Sequence, residues 1–299
     1  MQALAAATNQ IIDNNLSSAM ARTTKGMFGC RWRRWRGVCW ARTTVNRPGL
    51  SGYVSFVEII ELGTQLHLIK PAFGQVYLWK DGSRLTMVDT GIPGSQDDLA
   101  SAFAELGFRR ADLRRVVITH GHVDHAGSAA AIRRWGDVEV LAHREDAGIV
   151  CGERSRPEPV LTAAERPLYE QVATAIPSIP PCPVDTELAD GDTIEFGGGA
   201  RVIATPGHTD GSIAVWLPTA GVLFTGDSVA HHSARLMLGP FNTDREQARN
   251  SVVRLARMPA QIVCFGHGDP LTDEVGAAAW RRLGQLCQAG PHSVPDPLA

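Results

Sequence analysis

The sequence predicts an α/β fold of layered mixed sheets flanked by helices, on three observations. Strand-like runs alternate with helix-like ones along most of the chain. Several apolar runs end in a glycine-bearing turn that carries a histidine or an aspartate. A chain of 299 residues, 44% hydrophobic and 20% charged, can bury a sizeable core, and one large domain fits better than two.

The elements follow in order. Residues 1–50 hold eight Arg or Lys against the single acid Asp13, a balance of +7, while the remainder carries −9. This basic, tryptophan-bearing stretch, which includes "CRWRRWRGVCWAR", reads as a disordered N-terminal extension ahead of a single large domain at 51–299. Its alternative reading is a cationic surface anchor or an arm for an anionic partner. Within the domain, strands are expected at 75–80, 84–89, 115–119, 138–141, 201–205, 212–217, 222–225 and 261–265. Helices are expected at 95–106, 124–135, 162–175, 244–258 and 273–288. No apolar stretch approaches the roughly 18 residues of a transmembrane helix.

The chemistry concentrates in "VVITHGHVDHAGSAAAI", residues 116–132. A single histidine is most often a surface or core residue, but His120, His122, Asp124 and His125 fall within six positions. Val116, Val117 and Ile118 are β-branched and read as a short buried strand. Side chains two apart in extended chain point the same way, so His120 and His122 can reach one point. The helix that follows would present Asp124 and His125 toward a second point beside it. Imidazoles and carboxylates suit zinc, and to a lesser degree iron or manganese. More ligands are then needed downstream, and His208, Asp227 and His267 each follow an apolar run beside glycine.

In these residues the chain resembles the metallo-β-lactamase fold hydrolases, whose pattern is His-x-His-x-Asp-His followed by a distant His, a bridging Asp and a last His. The resemblance runs from about residue 54 to about 286, and it includes Asp89 in "TMVDTG" as an aspartate that supports the site from behind. It implies an αββα sandwich, two mixed sheets face to face with helices outside, and two metal ions, zinc foremost. His120, His122 and His208 would hold the first ion, Asp124, His125 and His267 the second, and Asp227 would bridge them. Two ions about 3.5 to 4 Å apart can share a water and lower its pKa to about 7. The catalytic carboxylates are then Asp124 and Asp227, with Asp124 preferred as proton shuttle, since a bridging carboxylate has fewer free lone pairs.

By ligand set the nearer relatives are the glyoxalase II type thioesterases, the lactonases, and the phosphodiesterases and nucleases. True β-lactamases tend to have cysteine, or no bridging residue, where Asp227 stands. Ala230 replaces the tyrosine typical of homoserine lactonases, and no basic glycine-rich grip is found near the C-terminus. The expected activity is therefore hydrolysis of a small-molecule ester, thioester or lactone by a metal-bridging hydroxide. The alternatives are a phosphodiesterase, or a mononuclear iron enzyme resembling the persulfide dioxygenases. The acidic body discourages long nucleic-acid substrates.

The insert at 145–187, proline-bounded and helical at its centre, is the expected pocket wall, with Tyr169, Ile176 and Ile179 as packing or contact residues. His231, His232 and Arg235 are candidates for the mouth. The six cysteines show no C-x-x-C spacing, so neither a zinc ribbon nor a disulfide framework is indicated, and a cytoplasmic location fits. Cys264 reads as a core residue. Oligomeric state is not legible in the sequence.

Overall fold

A computed structural model describes residues 33–35, 38–46, 54–71, 73–173 and 177–290. A nine-stranded sheet is laid down in sequence order: β1 (Arg33–Trp35), β2 (Val38–Asn46), β3 (Val54–Gly63), β4 (Leu66–Lys70), β5 (Val76–Asp81), β6 (Arg84–Val88), β7 (Leu113–Ile118), β8 (Glu139–His143) and β9 (Thr186–Leu188). It is antiparallel as far as β6 and parallel from β6 to β9. The second sheet orders β10 (Thr193–Ile194), β11 (Ala200–Ala204), β12 (Ile213–Leu217), β13 (Val222–Phe224) and β16 (Ile262–Cys264), with only the β13–β16 pair parallel. A hairpin, β14 (Val229–His232) and β15 (Arg235–Leu238), stands outside both.

Alternation along the strands builds three apolar layers. In β5, Tyr77 and Trp79 face the second sheet, whereas Val76 and Leu78 face outward toward helix α1 (Ser95–Glu105). In β12, Ile213, Val215 and Leu217 meet the first sheet, and Ala214 and Trp216 face α6 (Arg245–Leu255) and α7 (Glu274–Ala289). Leu99 and Phe103 cover one outer face; Val252, Leu255, Trp280 and Leu283 cover the other. The result is the expected αββα sandwich. Asp244 and Asp273 start α6 and α7 by accepting hydrogen bonds from backbone N–H groups of the first turn.

Two expectations need correction. The helix expected at 124–135 is broken into α2 (Val123–Ala126), α3 (Ala129–Ile132) and a 3-10 turn at Arg133–Trp135. The Ser128 N–H donates to Thr90 Oγ1 at 3.2 Å, and its hydroxyl donates to the Ile92 carbonyl at 2.6 Å, so the helical ladder is diverted there. The domain boundary expected at residue 50 also moves, because β1 and β2 pair onto β3. The β-branched run Thr43-Thr44-Val45 suits a strand, and net charge does not prevent edge pairing. Residues 1–32, 36–37 and 47–50, on which the rest of the expected disorder falls, lie outside the described residues. So does Ile176.

The insert includes α4 (Arg144–Val150) and α5 (Arg166–Ala173). Among the described residues no helix is long and apolar enough to cross a membrane.

Candidate metal centre

All seven expected ligand residues follow the C-terminal ends of strands, and they meet where the two sheets share an edge. β7 delivers His120 and His122, α2 delivers Asp124 and His125, and the turn after β11 delivers His208. Asp227 lies in the turn Gly226–Ser228 after β13, and His267 follows β16.

They form two groups, His120 with His122 and His208, and Asp124 with His125, Asp227 and His267. Within each group the ligand atoms lie within 4.8 Å of one another. His122 Nδ1 is 3.0 Å from both His120 Nε2 and His208 Nε2. One nitrogen carries at most one proton, so three imidazole nitrogens this close share a lone-pair crowd that a cation relieves. A tetrahedral ion at about 2.0–2.1 Å from its ligands sets them about 3.3 Å apart, close to this spacing. Asp227 stands between the groups: Oδ2 is 3.7 Å from His208 Nε2 and 4.0 Å from His120 Nε2, and Oδ1 is 3.3 Å from His125 Nε2. Asp124 Oδ2 is 3.0 Å from His267 Nε2. His125 Nε2 and Asp227 Oδ1 are buried without a hydrogen-bond partner, a costly arrangement that a metal would satisfy.

The support behind the ligands is also fixed. Asp89, at φ 63°, ends β6 and turns its carboxylate onto Thr119 N and Oγ1 and onto His125 Nδ1 at 2.8 Å. That contact orients the His125 ring so that Nε2 faces the cluster. Asp146 in α4 plays a part not foreseen from the sequence. Its buried carboxylate accepts from Gly121 N (2.7 Å), Thr209 Oγ1 (2.7 Å) and Gly211 N (3.0 Å), tying the His120–His122 loop to the His208 loop. No local pattern marks it, because its partners lie 25 to 65 positions away.

The two groups differ electrically. Burial lowers the pKa of His120, His122 and His208, so these imidazoles are neutral near pH 7 with lone pairs available. In the second group burial opposes every charge, yet the pairing wins. His125 and His267 hold the Asp124 and Asp227 carboxyls well below the usual carboxylate range. The two carboxylates in turn raise His125 well above an ordinary imidazole and His267 to about 10.

Other candidates fall elsewhere. His231 Nδ1 is 2.6 Å from the Asp269 carbonyl, and the His231 N–H donates to the His267 carbonyl, so it braces the last ligand turn. His232 and Arg235 pair across the β14–β15 hairpin, and Arg235 borders a cavity of about 180 Å³ against Arg282 and Leu283 of α7. Cys264 is buried between the sheets and belongs to neither ligand group. Ile179 packs on the outer core.

Comparisons with known proteins agree with this fold. The family model of the metallo-beta-lactamase superfamily matches residues 69–267. The chain is 28% identical over 204 residues to the probable metallo-hydrolase YflN of Bacillus subtilis (strain 168), covering 62% of this chain and 76% of that protein. It is 30% identical over 193 residues to a hydroxyacylglutathione hydrolase of Rhodobacter capsulatus, covering 64% of this chain and 60% of the relative. Among solved structures, a metallo-beta-lactamase family protein of Thermus thermophilus aligns at TM-score 0.53 and 24% identity, over 84% of this chain and 79% of that one. The metallo-β-lactamase MIM-1 of Novosphingobium pentaromativorans aligns at TM-score 0.57 and 20% identity, over 77% and 86%.

Proposed function

The chain belongs to the metallo-beta-lactamase superfamily, and from that premise we propose that it is a dinuclear metal-dependent hydrolase of small-molecule esters, thioesters or lactones. The observation that carries this reading is Asp227, whose carboxylate lies within 4.0 Å of ligand nitrogens from both groups. A carboxylate so placed can be shared by an ion in each group. Five imidazoles among seven ligand residues favour zinc over harder ions. A thioester or ester fits the acidic body better than a polyanionic substrate, and the hydroxyacylglutathione hydrolases among the relatives share that bond class. The described cysteines Cys151, Cys182, Cys264 and Cys287 are free, which suits a reducing compartment such as the cytoplasm.

When bound, the ions supply an acidified water and a Lewis acid for the substrate oxygen. The chain's own residues do the rest. Asp124, at 14% side-chain exposure against 8% for Asp227, is the more open carboxylate. It takes the proton of the attacking water and returns it to the leaving group. Asp89 holds the His125 ring and its tautomer, and Asp146 keeps the two ligand loops at fixed separation.

The test is metal content per chain on protein purified without added metal, read beside hydrolysis of a small panel of thioesters, lactones and phosphodiesters. About two zinc ions with acyl turnover is the expected result. One iron with oxygen uptake, or turnover confined to phosphodiesters, would overturn it.

Loading the second group has a pH dependence of defined sign. His125 and His267 are protonated at neutral pH in the metal-free chain, since their pKa values are raised. An ion must displace those protons, so uptake releases about two protons and weakens as pH falls. Calorimetry of zinc binding in buffers of different ionisation heat measures the release. His267→Ala should lower it by about one proton.

A further inference from the structure

The insert is fixed against the loop that carries the first ligand group. Glu165, fully buried, accepts from Thr162 N at 2.9 Å, Phe241 N at 3.2 Å and Arg245 Nη1 at 2.9 Å. Val160 N donates to the Asn242 carbonyl at 2.8 Å, and the Tyr169 ring meets that of Phe241 at 5.3 Å. The 241–244 segment is in turn bonded to the His208 turn, through Thr243 N to the His208 carbonyl and Asp244 N to the Gly207 carbonyl. The wall therefore stands beside the His208 turn.

Within that wall Arg156 is half-buried. Its Nη2 donates to Tyr169 Oη at 3.2 Å, and the Tyr169 hydroxyl donates onward to Glu158 Oε2 at 2.9 Å. Burial first, and then the bond to Glu158, raises the Tyr169 pKa, so the phenol stays neutral. Arg156 is thus steered by a neutral oxygen, and no ion pair to it is formed among the described residues. Arg245 and Arg133 differ, each spending its guanidinium on a carboxylate, Glu165 and Asp185. Through Tyr169 and the Phe241 ring it packs on, Arg156 belongs to the part of the wall that is bonded to the His208 turn.

We infer that Arg156, aimed by Tyr169, anchors an anionic group of the substrate, so that the enzyme takes acyl compounds carrying a carboxylate close to the scissile carbonyl. The inference rests on the acyl-hydrolase reading for its substrate class. A guanidinium presents a planar fork that matches a carboxylate with two parallel hydrogen bonds. Placed on the wall and outside both ligand groups, it adds binding and direction without taking part in bond breaking.

The experiment uses zinc-loaded enzyme and two thioesters with the same scissile bond, S-acetyl thioglycolate and its methyl ester, which differ by one charge. The wild type should prefer the charged ester. In Arg156→Ala the KM for that ester should rise about ten- to hundredfold, the range a hydrogen bond to a charged group is worth, with a smaller fall in kcat. The KM for the methyl ester changes less, so the preference collapses, and Arg156→Lys restores part of it. Equal KM values for the two esters in the wild type, or equal losses in the variant, would overturn the inference while leaving the hydrolase reading intact. If neither ester is turned over, the hydrolase reading is decided by the wider panel of thioesters, lactones and phosphodiesters. Calorimetric binding of succinate then judges Arg156 separately: a loss of about tenfold or more in Arg156→Ala supports the anchor, and unchanged binding refutes it.

Discussion

Asp227→Ala is expected to leave a folded chain that retains neither ion firmly and hydrolyses its substrate about a thousandfold more slowly. The magnitude follows from the several kcal/mol that a correctly held ion contributes to the transition state, at about 1.4 kcal/mol per tenfold. The position follows from the geometry. Asp227 Oδ2 also lies 3.4 Å from His267 Nε2, so one carboxylate neighbours ligands of both groups. Its loss removes the negative charge on which the crowded nitrogens depend. Metal content by atomic spectroscopy and kcat/KM should fall together. Asp124→Ala separates the roles, because a shuttle removed from the mouth should depress kcat further than metal content. Wild-type metal content and turnover in Asp227→Ala would refute the dinuclear reading.

Gly266→Ala should have an effect of similar size without replacing any ligand residue. A Cβ at residue 266 would stand 2.0 Å from Asp227 Oδ1 and 2.7 Å from His125 Cε1. The backbone cannot slide away freely, since the Gly266 N–H donates to the Gly226 carbonyl at 3.0 Å and so locks the two ligand turns together. The Asp227 carboxylate must therefore rotate out of the cluster. Overpacking of this kind costs about 1–3 kcal/mol of stability, and the displaced ligand adds the loss of metal. Gly136→Ala, where a Cβ meets nothing within 4 Å, is the control. Thermal unfolding with and without a chelator should show the difference: the metal-dependent gain in Tm vanishes in Gly266→Ala and survives in Gly136→Ala.

The gathering of these seven side chains was legible because the residues are dense and their turns are punctuated. His120 to His125 place four candidate ligands in six positions, and His208, Asp227 and His267 each follow an apolar run beside glycine. The parts that escaped lack local signals. Asp146 looks like any acid in a helix start until chain folding brings Gly121 and Gly211 to it. Glu165 and Arg156 sit in a polar insert whose composition says loop and helix and nothing more. The strands β1 and β2 were hidden by their arginines, and β14–β15 by their brevity. The kink after Ala126 depends on Thr90 and Ile92, more than thirty positions upstream, so no window on residues 124–135 could show it.

The Asp146 clamp has a mechanical consequence. A sandwich of two sheets deforms most easily by shear, one sheet sliding on the other across its apolar layer. The ligands come from both sheets, so such sliding would stretch the distance between His120 and His208. Three bonds of 2.7 to 3.0 Å from one buried carboxylate, joined by the Ile213 N–H to the Thr119 carbonyl at 2.9 Å, pin the sheets together at this edge. Sliding of one sheet on the other is thereby opposed at the edge where the candidate ligands of both sheets meet.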